Sequence, residues 1–235
     1  MSLSSSCVDV SNLKILFSGT NSIVYAMENN LRNDVSVDGY YGDHVVKKYL
    51  NENVANKEID ILEYLANNQT KHSIIPIYAN KSEKIIIMRR MSPLNLLPWE
   101  LLSATNKSDI IKCILLGIKE IHELNLIHND LKPENILYDP ITLKTKLIDF
   151  SSSFLTTAYQ SENATTPLYN APDKIKSKAS DIWSFGILLL KLLGFEEHPK
   201  VQPTKINRTL MAIAYKCLNT DPALRPTASE CIELL

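Results

Sequence analysis

The chain has 235 residues, 45% hydrophobic and 22% charged, with a formal net charge of -1 at pH 7. These are the proportions of an ordinary soluble globular protein, long enough to bury a sizeable core. Near-neutral charge excludes recognition of nucleic acid or an anionic membrane by bulk electrostatics, so any partner must be recognised at a local site.

The amino terminus is serine-rich, and its weak apolar run is broken by Asp9 and Lys14, which is not the pattern of a signal peptide. Ser2 stands where myristoylation would need a glycine. From there to about Met91 the chain is expected to be strand-rich with one helix. Short apolar or alternating runs at residues 13–17, 23–27, 44–49 and 84–88 predict strands, and the Asn-, Asp- and Gly-rich stretch 29–43 predicts a loop. Val54, Ile59, Leu62 and Leu65 fall near helical spacing, which predicts an amphipathic helix over 52–66.

Ser92-Pro93 and Pro98 punctuate the chain and divide it into residues 1–91 and 92–235, the second mostly helical. Ile111, Ile114, Leu115, Ile118 and Ile121 form one face of a helix predicted over 110–124, with Ser108 or Asp109 as its cap. Residues 180–193 are apolar nearly all round and stop at Gly194, as a buried central helix would. The apolar run is too short to cross a bilayer, which takes about 20 residues. Helices over 210–218 and 227–235 complete the pattern. Cys7, Cys113, Cys217 and Cys231 have neither C-x-x-C nor zinc-ligand spacing, and are expected as small buried hydrophobes in a reducing compartment. The expectation is a soluble cytoplasmic protein.

The helix over 110–124 runs into His128-Asn129-Asp130-Leu131-Lys132-Pro133-Glu134-Asn135, followed by Lys146-Leu147-Ile148-Asp149-Phe150-Ser151. A lone Asp or Asn in a loop is usually a cap or turn residue. The whole set, in order and at this spacing, resembles the eukaryotic-type protein kinases, whose signature is H-R-D-L-x-x-x-N followed by D-F-G. The chemistry needs these residue types. Phosphoryl transfer passes through a loose transition state, so catalysis is mostly positioning and charge neutralisation. A carboxylate must meet the incoming hydroxyl, hard oxygens must hold Mg2+, and cations must sit on the phosphates.

The resemblance implies an α+β, bilobal protein-kinase-like fold, with a small strand-rich N-lobe carrying one main helix and a mostly helical C-lobe. It implies that Asp130 orients the substrate hydroxyl and accepts its proton, that Lys132 lies against the transferred phosphate, and that Asn135 and Asp149 hold Mg2+, with Mn2+ as a substitute. Lys47 would grip the ATP phosphates; its choice over Lys48 rests on strand alternation. Glu58 would pair with Lys47, while Val45, Met88 and Met91 would line the nucleotide. In Phe17-Ser18-Gly19-Thr20-Asn21-Ser22-Ile23-Val24, only Gly19 remains of the three glycines of G-x-G-x-x-G-x-V, and Val24 keeps the final position. His128 and Phe150 would pack the active core, and Asp181 would brace the catalytic-loop backbone. Thr166 would contact Asp130 and Lys132, the pattern of Ser/Thr-specific members. Asp173, in place of the Glu of A-P-E, would pair with Arg225.

Two departures bear on control. Asn129 replaces the arginine that commonly holds a phosphorylated activation segment, so activity is expected without phosphorylation there, although Thr156, Thr157, Ser161 and Thr165 remain available sites. Ser151 replaces the Gly of D-F-G and should restrict the backbone at that turn. The span from Gly194 to Arg208 is short for the family's next helical region, and little chain follows Arg225. The expected activity is an ATP-dependent Ser/Thr protein kinase acting on a protein substrate. A pseudokinase that regulates a protein partner is the alternative from another class, and a small-molecule kinase of the aminoglycoside or choline type a third. The abundance of Asn, Lys, Ile and Tyr suits an AT-rich genome, compatible with a viral or pathogen-delivered kinase in a host cell.

Overall fold

The computed structural model describes residues 8–27, 44–157, 166–194 and 205–235. The loop expected over 29–43, Cys7, Ser161, Thr165 and the middle of the Gly194–Arg208 span lie outside the described residues. The chain forms two compact units: one reaches to Asn68 and adds Ile74–Arg90, the other comprises Gln69–Ser73 and Met91–Leu235. Residues 69–73, placed by sequence in the N-terminal lobe, thus belong to the second unit. The main division falls between Arg90 and Met91.

The first unit is an antiparallel five-stranded sheet in the order β1-β2-β3-β5-β4. Its strands are β1 (Lys14–Ser18), β2 (Ser22–Ala26), β3 (His44–Tyr49), β4 (Tyr78–Asn80) and β5 (Ile85–Arg89). The three-residue β4 was not expected, because Tyr-Ala-Asn is too short to show an alternation. On β3, Val46 packs with Val10, Ile85 and Ile87 on one side of the sheet. Alternation turns Val45, Lys47 and Tyr49 to the opposite side. Helix α1 (Glu52–Asn67) begins at Asn51, whose side chain accepts hydrogen bonds from the backbone N–H groups of Asn53 and Val54. Its buried stripe is Ala55, Glu58, Ile59, Leu62 and Leu65, with an acid set among apolar residues.

The second unit is built around α2 (Ala104–Glu123). The expected start at Ile110 is corrected: Ser103 caps the helix by accepting from the Asn106 N–H at 3.1 Å, so Ser108 and Asp109 lie inside it. The added turns carry Thr105, Asn106, Lys107 and Ser108, which show no apolar period. The short strand β6 (Ser92–Pro93) precedes α2, and β7 (Leu126–Ile127), β8 (Ile136–Tyr138), β9 (Thr145–Leu147) and β10 (Phe154–Leu155) follow. They pair as β6-β8-β9 and β7-β10. Helices α3 (Lys178–Leu192), α4 (Lys205–Cys217) and α5 (Ala228–Glu233) complete the unit. Helix α3 starts two residues earlier than expected and is capped at Leu193; Gly194 follows, and its φ of 74° is the left-handed stop that glycine adopts without strain. Gly186 lets α3 approach α4: a Cβ there would lie 2.9 Å from the Cys217 Cβ.

Residues 69–73 are fastened to α2 and β9. The backbone N–H groups of Lys71 and His72 donate to Glu120, the His72 ring meets the same carboxylate at 2.9 Å, and Leu147 N–H donates to His72 O. Cys113, Cys217 and Cys231 are free thiols, the last two fully buried as expected. No described helix is long and apolar enough to cross a membrane.

Candidate active site

In the first unit the lysine–glutamate pair is explicit. Lys47 Nζ lies 2.8 Å from each carboxylate oxygen of Glu58, with the residues only 7% and 1% exposed. A carboxylate and an ammonium removed from water must satisfy each other, and this arrangement does so from β3 to α1. In register, Val24 faces Lys47 across β2–β3 and Val45 faces Met88 across β3–β5, so all four side chains share one face of the sheet. Gly19 sits in the β1–β2 turn, its N–H donating to Ser22 O at 2.9 Å, and a Cβ there would meet the Phe17 ring at 2.9 Å. Met91 opens the second unit.

In the second unit the loop from His128 to Asn135 is held by Asp181, in the first turn of α3. Its carboxylate accepts from His128 N–H and Asn129 N–H, both at 2.8 Å, and meets His122 Nε2 at 3.0 Å. Three partners and the helix N-terminus stabilise a fully buried charge. His128 Nε2 donates to Ile148 O at 2.9 Å, so Nδ1 is left to accept from Asp130 N–H at 3.4 Å. The His128 and Phe150 rings pack with centroids 5.0 Å apart. His128 is therefore committed to tying two loops together.

Asp130 gathers the remaining motif residues. Its Oδ2 accepts from Lys132 Nζ at 2.7 Å and Asn135 Nδ2 at 2.9 Å, while Oδ1 accepts from the Thr166 N–H and hydroxyl at 3.1 and 2.9 Å. Lys132 Nζ also donates to Thr166 Oγ1 at 2.7 Å, and Asn135 Nδ2 to Asp130 O at 2.8 Å. The site has a partnered carboxylate, a cation within contact of it, and a threonine hydroxyl joining the two.

Asp149 reaches the same loop through the backbone, because Ile148 N–H donates to Asn135 O at 3.0 Å. Asp149 and Asn129 have φ of 61° and 67°. Asp and Asn are the non-glycine residues that enter this left-handed region most readily. Asn135 spends its amide nitrogen on Asp130, so its carbonyl oxygen is what that side chain can offer a cation. That oxygen and the Asp149 carboxylate are hard donors of the kind Mg2+ takes, with phosphate and water supplying the rest of its shell. Among the described residues no group of three or more His, Cys, Asp or Glu forms a metal cage, and Mg2+ bound with phosphates needs none.

Asp173 and Arg225 form a two-pronged ion pair at 2.6 and 2.7 Å. The Arg225 guanidinium holds the Asp173 carboxyl below the usual aspartate range, aided by the Ser180 hydroxyl against the opposing effect of burial. Arg225 also donates to Asn219 O and Ala179 O and lies 5.0 Å from the Trp183 ring centroid.

Several contacts were not anticipated. Asn129 Nδ2 donates to Ser152 O at 3.3 Å, Ser151 Oγ to Asp149 Oδ1 at 2.8 Å, and Ser153 Oγ to His128 O at 3.0 Å. His122 was also missed, although it falls four residues after Ile118 on the buried face of α2, where a polar side chain requires a partner.

The family model described as protein kinase domain matches residues 11–234. The probable serine/threonine-protein kinase fnkB of Dictyostelium discoideum is 37% identical over 108 residues, covering 40% of this chain and 20% of its own. The receptor-interacting serine/threonine-protein kinase 3 of Rattus norvegicus is 36% identical, covering 47% of this chain and 25% of its own. The serine/threonine-protein kinase STE20 of Candida glabrata is 28% identical over 227 residues, covering 81% of this chain and 24% of its own. The chain thus matches a quarter or less of the length of each of these relatives.

Proposed function

The chain belongs to the protein kinase domain family, and from that premise we propose that it is an ATP-dependent Ser/Thr protein kinase that needs no phosphate on its activation segment. The observation that carries this reading is the cluster of Lys132, Asn135 and Thr166 around Asp130. In the proposed reaction a substrate hydroxyl donates its proton to Asp130 as its oxygen bonds to the γ-phosphorus and the bond to the β-phosphate oxygen breaks. Lys132, 2.7 Å from Asp130, supplies positive charge beside the transferred group. Asn135 and Asp149 are the residues that would hold Mg2+, which when bound would neutralise phosphate charge. Lys47, fixed by Glu58, would meet the ATP phosphates.

Independence from phosphorylation is supported by Asn129. Its amide bonds the Ser152 carbonyl directly, so a neutral contact stands where an arginine would await a phosphate. The test is a Mg2+-ATP assay on a basic protein substrate with the wild type, Asp130→Ala and Asp149→Ala. Transfer by the wild type and its loss in both variants is expected. Equal background from all three, with ATP still raising the melting temperature, would replace this reading with a nucleotide-binding pseudokinase.

A further inference from the structure

The turn after Asp149 carries three consecutive serines, Ser151, Ser152 and Ser153, where the family's motif places glycine first. Each is engaged in the turn or with the catalytic loop. Ser151 Oγ donates to Asp149 Oδ1 at 2.8 Å, Ser152 O accepts from the Asn129 amide, and Ser153 Oγ donates to His128 O. Phe150–Ser152 is a 3-10 turn closed by Ser153 N–H donating to Phe150 O at 3.0 Å. Asp149 itself holds a left-handed backbone, φ 61° and ψ 72°. Two of these contacts fix the turn to the catalytic loop. The Ser151 hydroxyl acts on the carboxylate itself.

Resting on the kinase reading, we propose that Ser151 is a positioning residue for the divalent cation, its hydroxyl fixing the rotation of the Asp149 carboxylate. A carboxylate has about four lone-pair sites, so a hydroxyl on Oδ1 leaves it able to ligate while removing much of its rotational freedom. Groups that hydrogen-bond a metal ligand in this way commonly contribute ten- to a hundredfold in metal affinity. A glycine at 151 would lack this bond and relax the backbone; an alanine would lack the bond alone. That difference separates the hydroxyl's effect from backbone stiffness.

The experiment measures Mn2+ binding to the full chain in the presence of ADP, by electron paramagnetic resonance, for the wild type, Ser151→Ala, Ser151→Gly and Ser151→Thr. Half-saturation should need about tenfold more Mn2+ in the Ala and Gly variants, and within about twofold of wild type in Thr, which restores the hydroxyl. In the transfer assay, the Ala variant should show a raised requirement for Mg2+ with kcat largely recovered at saturating metal. Wild type and Ser151→Ala binding Mn2+ equally would overturn this inference and leave the kinase reading standing. A wild type that takes up no Mn2+ with ADP would overturn both.

Discussion

A buried ion pair decides most at the scale of single residues. Lys47 and Glu58 are separated by 11 positions and share a site almost free of water. Removing one partner takes a two-point contact from a buried charge, so Glu58→Ala should destabilise the protein by about 3–5 kcal/mol in chemical denaturation. The pair Lys81–Asp60, with side chains 42% and 61% exposed, is the control: Asp60→Ala should leave the denaturation midpoint nearly unchanged. A Glu58 effect no larger than the Asp60 one would contradict the reading of a desolvated pair. Strand alternation singled out Lys47 against Lys48, because only one of two adjacent residues can face α1. The Ser151–Asp149 and Asn129–Ser152 bonds were not legible in the same way. Sequence showed that a glycine and an arginine were missing, and only the folded turn shows what the replacements bond to.

At the scale of elements, legibility followed the strength of the apolar period. The core of α2 was readable from its isoleucines, but its first turns are polar and only the Ser103 cap marks the start. The three-residue β4 had no pattern to read. Helix α3 illustrates a constraint that sequence conceals, since Gly186 lies inside a helix and costs about 1 kcal/mol of propensity relative to Ala. A Cβ there would come within 2.9 Å of Cys217 Cβ and 3.0 Å of Leu218 Cγ, and the first cannot swing aside. Overpacking costs about 1–3 kcal/mol, which outweighs the gain in propensity, so Gly186→Ala should be net destabilising by up to about 2 kcal/mol, read from urea midpoints. A stabilised variant would show that α3 and α4 have room to part. The turn after Asp149 yields a second expectation. Because Asn129 already holds Ser152, phosphatase treatment should leave transfer activity within about twofold of the untreated protein. Activity lost on that treatment, and restored by rephosphorylation of the segment, would contradict it.

For the whole molecule, the Asp173–Arg225 pair links folding stability to pH. Arg225 lowers the Asp173 carboxyl in the folded state, so the native protein binds fewer protons than the unfolded chain. This contribution is fully present above the unfolded value, about 3.9, and is lost as pH falls through the depressed folded value. Stability should therefore drop more steeply below about pH 4 in the wild type than in Asp173→Asn, in urea titrations at stepped pH. Parallel curves would remove the pair from the acid response.

The kinase-domain match spans nearly the whole chain, and within it Asp130 is the residue proposed to serve phosphoryl transfer. Steady-state kinetics of the wild type and Asp130→Ala across ATP concentrations test it most directly. Loss of a positioned base should lower kcat by about 10²- to 10⁴-fold, with KM for ATP within about twofold. An Asp130→Ala enzyme with wild-type kcat would contradict the account.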